Sequence, residues 1–331
     1  MKLPTTMKAL QLQGRDALVL TELPVPVPGA NEVLIQTAAT TICTSDLHDI
    51  KYNPFNIPLP MVPGHEGAGT VVQCGPEVKG LAPGTRVAAH PVVPCEQCIE
   101  CRRNYKHLCL NMGHLGFDRN GTFAEYFIQR ADRVQPLPDS IPFALGALLE
   151  PVANCLQAIA RAGTVKNRRV LVVGDGPFGN IIARLAVKAG AAEVLVAGRE
   201  PFRLGMIPGV RIVDIPPVKS VDVAILAVSA AEAVTTCMHA LRKRGRMVVF
   251  SLLQDPVPVN LFELHMSELE IVGCVNDEDR MSESLACLQD ASLNLSEMIT
   301  HQLAFDNWEE AFHLARDRHD KALKVAMIFK H

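Results

Sequence analysis

The chain has 331 residues, 48% of them hydrophobic, and a net charge of −3 at neutral pH. That length and apolar content allow a sizeable core and lead us to expect two domains. Lys and Arg form no long run, so nucleic acid and anionic membrane surfaces are not expected partners, and no uninterrupted apolar stretch reads as approaching the ~20 residues that cross a bilayer. No charged-then-apolar leader opens the sequence, which reads as cytoplasmic, with its cysteines reduced.

Up to about residue 150, short apolar runs at 33–35 and 70–72 are separated by Pro and Gly clusters at 24–29, 75–76 and 83–84, the pattern of a mainly β domain. Three polar fragments lie within it: Cys43-Thr44-Ser45-Asp46-Leu47-His48, then Gly64-His65-Glu66, then Leu149-Glu150-Pro151. Each is ordinary alone, because an isolated Cys is usually core and a lone His or Glu is usually a satisfied polar group. Together they offer a thiolate, an imidazole and carboxylates, a mixed set that binds zinc while leaving a coordination position for water or an alcohol oxygen. Between them, Cys95, Cys98, Cys101 and Cys109 form C-x2-C-x2-C-x7-C, a spacing that lets four thiolates close a tetrahedral zinc site. Disulfides fit a reducing compartment poorly. A ferredoxin-type iron–sulfur run would bring its fourth Cys closer and follow it with Pro, whereas Leu110 follows here. Of the other six cysteines, scattered along the chain, most read as small core residues.

Beyond residue 150 helix and strand alternate. Helices are expected at 156–162, 178–189 and 230–241, and strands at 169–173, 193–197, 211–214, 221–228 and 246–252, which together make a doubly wound parallel sheet. The first of these strands runs into Gly174-Asp175-Gly176-Pro177-Phe178-Gly179, a G-x-G-x-x-G at a strand-to-helix junction. The first glycine permits the tight turn, the second lets backbone approach a pyrophosphate, and the third allows close helix packing. At the end of the second strand, where a carboxylate would take the ribose 2′-hydroxyl of NAD, stands Gly198-Arg199, with Arg203 one turn on. NADP is therefore the expected preference, with a ribose contact from Glu200 as the competing reading. After residue 273, helices at 282–289 and 308–316 and a closing strand at 323–329 complete the chain.

In this order, Cys43, Gly64-His65-Glu66, the four-cysteine cluster and the glycine-rich loop resemble the zinc-containing medium-chain alcohol dehydrogenases over nearly the whole chain. The C-x-S-D-x-H and Leu149-Glu150-Pro151 fragments resemble the polyol (sorbitol-type), butanediol and threonine dehydrogenase branch. The resemblance implies an α/β protein in which a Rossmann domain (152–273) interrupts a mainly β GroES-like catalytic domain. The latter comprises 1–151, with a structural-zinc lobe at about 90–112, and a return at 274–331; the active site lies in the cleft between the domains. It implies two Zn2+ per chain. One is catalytic, on Cys43, His65 and Glu66, with Glu150 as a fourth ligand or linked through water; the other is structural, on the four cysteines. It further implies hydride transfer between a secondary alcohol (a polyol, cyclitol or sugar-derived hydroxyl) and NAD(P), with Ser45 passing the alcohol proton toward His48. Threonine or another amino alcohol is the alternative substrate, a non-catalytic nucleotide-sensing scaffold is the reading from a different class, and a dimer or tetramer is the expected assembly. Two features bear on the details: Val275-Asn276 replaces the Phe-Arg pair of sorbitol-type enzymes, and the stretch between Arg203 and Val221 is short, trimming the helix after the second strand. Phe117 is a candidate pocket wall.

Overall fold

A computed structural model describes residues 3–317 and 320–330. The chain divides into two compact units, one formed by Met1–Pro151 with Met281–His331, the other by Val152–Arg280.

The first unit is organised by the strand Glu32–Thr41, seven of whose ten residues are buried and none exposed. A strand with both faces covered and both edges occupied must be central, and this one pairs antiparallel with Glu66–Cys74, Tyr126–Arg130 and the C-terminal strand Lys324–Ile328. The full seven-stranded sheet continues through Arg86–Ala89 to Val134–Pro136 on one side and to Ile299–Ala304 on the other. A separate hairpin, Thr6–Gly14 with Ala17–Pro24, covers part of it. Leu10, Leu12, Leu34, Val62, Phe123, Phe312, Val325 and Met327 share one core, so the C-terminal segment is built into the packing of the N-terminal strands. Phe123 and Phe312 meet edge-on, with centroids 5.6 Å apart. The 43–48 fragment, read only as part of a β domain, lies at the start of a helix, Thr44–Tyr52, with Cys43 at its N-cap.

The second unit holds a six-stranded sheet in which every pairing is parallel, in the order Arg211–Ile212, Glu193–Ala197, Arg169–Val173, Val221–Leu226, Leu241–Val249, Glu270–Gly273. By position along the chain this is 3-2-1-4-5-6, the dinucleotide-binding arrangement. Covered on both faces, such strands need continuous apolar runs rather than alternation, and all six residues of Val221–Leu226 are buried.

Several boundaries differ from expectation for identifiable reasons. The helix expected to begin at 156 runs over Leu149–Ala162, since Pro151 falls in its first turn, where a missing N–H costs nothing. The third strand shrinks to Arg211–Ile212, and the trimmed helix before it survives as the five residues Pro201–Gly205. The fifth begins at Leu241, ahead of the expected 246, with a register irregularity near its start. The second unit extends to Arg280, past the expected 273, and the Arg280 side chain donates to Gln157 Oε1 at 2.9 Å. Phe143–Ala162 does meet the length and hydropathy of a membrane span, against the sequence reading, but 72% of it is buried inside the protein, as a core segment would be.

Because Phe312 is 3% exposed and lies in the core that joins both ends of the first unit, Phe312→Ala is expected to destabilise the protein by ~3–5 kcal/mol. Denaturant unfolding monitored by circular dichroism checks this, and a change within ~1 kcal/mol would contradict the packing described.

Candidate functional site

Two of the three polar fragments converge because the central strand ends just before one of them and pairs with the strand that the other opens. Cys43 follows Glu32–Thr41 and caps the next helix, while Thr41 lies directly opposite Glu66 in the sheet. Gly64 turns the chain into the Glu66–Cys74 strand at a φ of +93°, and a Cβ there would strike the Phe123 ring at 2.5 Å. The result brings the donor atoms of Cys43, His65 and Glu66 within 4.8 Å of one another, all buried.

Each donor is held by a neighbour that sequence reasoning gave no role. Asp46 accepts the Cys43 backbone N–H at 2.8 Å with one carboxylate oxygen and faces His65 Nδ1 at 3.0 Å with the other. Thr40 donates its hydroxyl to the Glu66 carbonyl at 2.8 Å, and the Thr41 hydroxyl donates to the Glu66 carboxylate. Lys324, from the C-terminal strand, lies 2.7 and 2.6 Å from the two carboxylate oxygens of Glu66. Both partners are essentially inaccessible to solvent. A charged residue at the start of an otherwise apolar closing strand was the sequence signal for Lys324; Asp46 was visible only as part of a motif.

The electrostatics follow from burial. Removal from water and the nearby Glu66 push the Cys43 thiol above its ordinary range. Burial alone would lower His65, but the Asp46 carboxylate overrides it and holds the imidazole well up. Burial also works against the charge on Lys324, and Glu66, Cys43 and Glu150 more than compensate. A metal entering here would displace protons from the thiol and the imidazole, as thiolate–imidazole sites do. The donor chemistry and its convergence fit zinc.

Glu150 is buried but does not join the three-donor cluster; it sits close enough to act on Lys324. Ser45 Oγ lies 3.5 Å from His65 Nε2. His48, three residues further along the same helix, has a side chain 37% exposed and 3.8 Å from Asp49, whose carboxyl is pushed up to about 7 by burial and by Asp46. Phe117 stands edge-on to His114 at 4.7 Å and tilts against Phe55 at 5.7 Å, while His114 approaches His65 at 5.7 Å, so an aromatic wall leads away from the cluster.

The four cysteines of the 95–109 segment form a second cluster, with Cys101 and Cys109 buried. Cys98 and Cys109 sulfurs are 3.8 Å apart, too far for a disulfide and about the spacing of two thiolates on a tetrahedral zinc. Backbone N–H groups of Cys95, Cys98 and Cys101 point at cluster sulfurs at 3.2 to 3.5 Å. Hydrogen bonds from the N–H groups of Cys101 and Leu110 draw the Cys98 thiol down to about 6.

In the second unit, Gly174 adopts a φ of +128°, and Gly179 packs so closely that a Cβ would meet the Gly174 carbonyl at 2.0 Å. At Gly176, the N-cap of Pro177–Lys188, a Cβ would meet nothing within 4 Å. The loop thus presents open space at a helix N-terminus, which fits a pyrophosphate. Arg199 is exposed, its guanidinium 3.3 Å from Glu232. Arg203 is instead buried at 4% exposure, its carbonyl accepting from the Asn180 side chain, so it is not displayed beside Arg199 as expected.

Residues 29–139 match the family of alcohol dehydrogenase GroES-like domains. An L-threonine 3-dehydrogenase of Pyrococcus abyssi is 32% identical over 99% of each chain. Among solved structures, a zinc-binding dehydrogenase of Sinorhizobium meliloti bound to NADP superposes with a TM-score of 0.92 at 25% identity, over 98% of this chain and all of its own. L-Idonate 5-dehydrogenase of Escherichia coli does so with a TM-score of 0.89, also at 25% identity, over 98% of each chain. With a relative of that identity along its whole length, the chain belongs to the zinc-containing medium-chain alcohol dehydrogenases and is an NAD(P)-dependent oxidoreductase.

Proposed function

We propose that the enzyme oxidises a secondary alcohol bearing a polar group on the neighbouring carbon, with L-threonine ahead of polyols, at the cluster of Cys43, His65 and Glu66. The observation that carries this is a buried thiol, imidazole and carboxylate converging within 4.8 Å. Zinc held by these three residues would supply Lewis acidity toward the alcohol oxygen, and a bound nicotinamide would supply the hydride acceptor.

The protein's own residues do the rest. Asp46 orients His65 and anchors the Cys43 backbone, and Lys324 fixes the Glu66 carboxylate while offsetting its charge. Glu150 would serve as a fourth ligand or be linked to the metal through water. Ser45 takes the proton from the alcohol, and His48, on the same helix face and partly exposed, passes it to solvent. In the second unit Gly174, Gly176, Pro177, Phe178 and Gly179 cradle the pyrophosphate. Arg199 meets the 2′-phosphate when the dinucleotide is NADP, a reading supported by the NADP-bound neighbour. The four cysteines hold a closed zinc that stiffens their lobe. None of the protein's ten cysteines is in a disulfide, which suits a cytoplasmic enzyme.

L-Threonine leads because the threonine dehydrogenases match at 30 to 33% identity over 94% or more of the chain. The structural neighbour named for a sugar-acid substrate matches at 25%. A panel of L-threonine, 2,3-butanediol, sorbitol and L-idonate tests this with the purified holoenzyme. The highest kcat/KM is expected for L-threonine, and a polyol or idonate leading by tenfold would reverse the order.

Elemental analysis is expected to find two zinc ions per chain in the wild type and one in Cys43→Ser. Ser45→Ala should keep both while lowering kcat by about 10²–10⁴. Zinc lost from Ser45→Ala, or turnover unchanged, contradicts the relay.

The assembly we propose is a homo-oligomer built through the strand Glu270–Gly273, an open edge of the parallel sheet, where Ile271 is exposed and the preceding helix displays Leu261, Phe262 and Met266. Light scattering should report a dimer or tetramer for the wild type and a shift toward monomer for Ile271→Lys; a monomeric wild type rules the interface out.

A further inference from the structure

In a doubly wound sheet, the adenosine ribose of a dinucleotide lies at the end of the second strand, where an acidic side chain accepts the 2′-hydroxyl and a cationic one meets a 2′-phosphate. Here that strand ends in Ala197-Gly198-Arg199-Glu200, with no side chain on Gly198. The space such a side chain would take is already filled. A Cβ built on Gly198 would lie 2.6 Å from both the Cβ and Oδ2 of Asp175, which reaches across from between the first two glycines of the loop. Its Oδ2 accepts the backbone N–H of Arg199 at 2.6 Å and of Glu200 at 2.7 Å.

This arrangement has two chemical effects. Gly198 supplies no side chain and Glu200, two residues on, caps the next helix by accepting the Phe202 N–H at 3.3 Å, so the carboxylate against the strand end is that of Asp175 from the glycine-rich loop. The two main-chain donors that open onto this corner are also committed to that carboxylate, and are withheld from an incoming anion. Of the cations on this segment, Arg199 points to solvent beside Glu232, and Arg203 is buried.

We propose that Asp175 determines how strongly the enzyme discriminates against the 2′-phosphate of NADP, by standing in for the strand-end acid beside the adenosine ribose. Arg199 provides the attraction that it opposes. The inference rests on reading the glycine-rich loop as a dinucleotide site.

Calorimetric titration of the zinc-loaded enzyme with NAD, NADP, 5′-AMP and 2′,5′-ADP tests it without turnover. In Asp175→Asn, which keeps the size of the side chain and removes its charge, affinity for NADP and 2′,5′-ADP should rise about tenfold relative to NAD and 5′-AMP. Asp175→Ala should shift the ratio in the same direction, even if loss of the hydrogen bonds weakens every ligand. A purely structural role would weaken all four ligands in proportion, and an unchanged ratio in a folded variant overturns the proposal. The wild type provides a measurement independent of how the variants fold: 2′,5′-ADP should bind within about tenfold of 5′-AMP, and a wider margin in its favour also overturns it. Failure of the wild type to bind either dinucleotide would instead reject the reading of the loop, and this inference with it.

Discussion

The buried ion pair between Lys324 and Glu66 is the constraint on which the catalytic unit turns. An uncompensated charge in a dry interior costs several kcal/mol, and removing one partner of such a pair typically costs ~3–5 kcal/mol. Glu66 therefore cannot occupy its place at the cluster unless a cation 258 residues further along the chain is brought to it. The C-terminal strand must return to the central strand of the first sheet for this to happen, which is why Met281–His331 belongs to the same unit as Met1–Pro151. Thr41 completes the arrangement by hydrogen bonding to the same carboxylate from the opposing strand.

The pair also sets the charge of the site. The buried carboxylates Glu66, Asp46 and Glu150 and the Cys43 thiol would surround a divalent cation with negative charge, and Lys324 offsets part of it. Offsetting that charge would keep a bound metal more electrophilic than buried anions alone would leave it. The four-cysteine cluster has the opposite character. Its ligands lie within one short segment, are supported by their own backbone N–H groups, and occupy every tetrahedral position, so it can stabilise a lobe and do no chemistry.

Asp175 and Asp46 illustrate the same economy, each serving two places at once. Asp46 ties a helix N-terminus to a histidine just ahead of the Glu66–Cys74 strand, and Asp175 ties the first turn of the glycine-rich loop to the end of the neighbouring strand. In both cases one carboxylate oxygen or two backbone donors define a corner of a site to within a hydrogen-bond length, as pre-organised binding demands.

What the sequence determined by itself was whatever is written locally. The cysteine spacing, the glycine-rich loop between an apolar strand and a helix, and the continuous apolar runs of the parallel strands carry their meaning within a few residues, because ligand spacing, turn geometry and burial on two faces are short-range requirements. Cys43, His65 and Glu66 were legible only as scattered fragments, joined by the complementarity of their ligand chemistry and then by family resemblance. The tertiary structure alone decided that Lys324 charges the site, that Thr41 faces Glu66 across the sheet, that Arg203 is buried while Arg199 is exposed, and that Asp175 fills the space beside Gly198. These depend on strand register and on which distant segments share a core. No local pattern encodes such pairings, because they are fixed by where the whole chain can bury its apolar surface while leaving no charge unpaired.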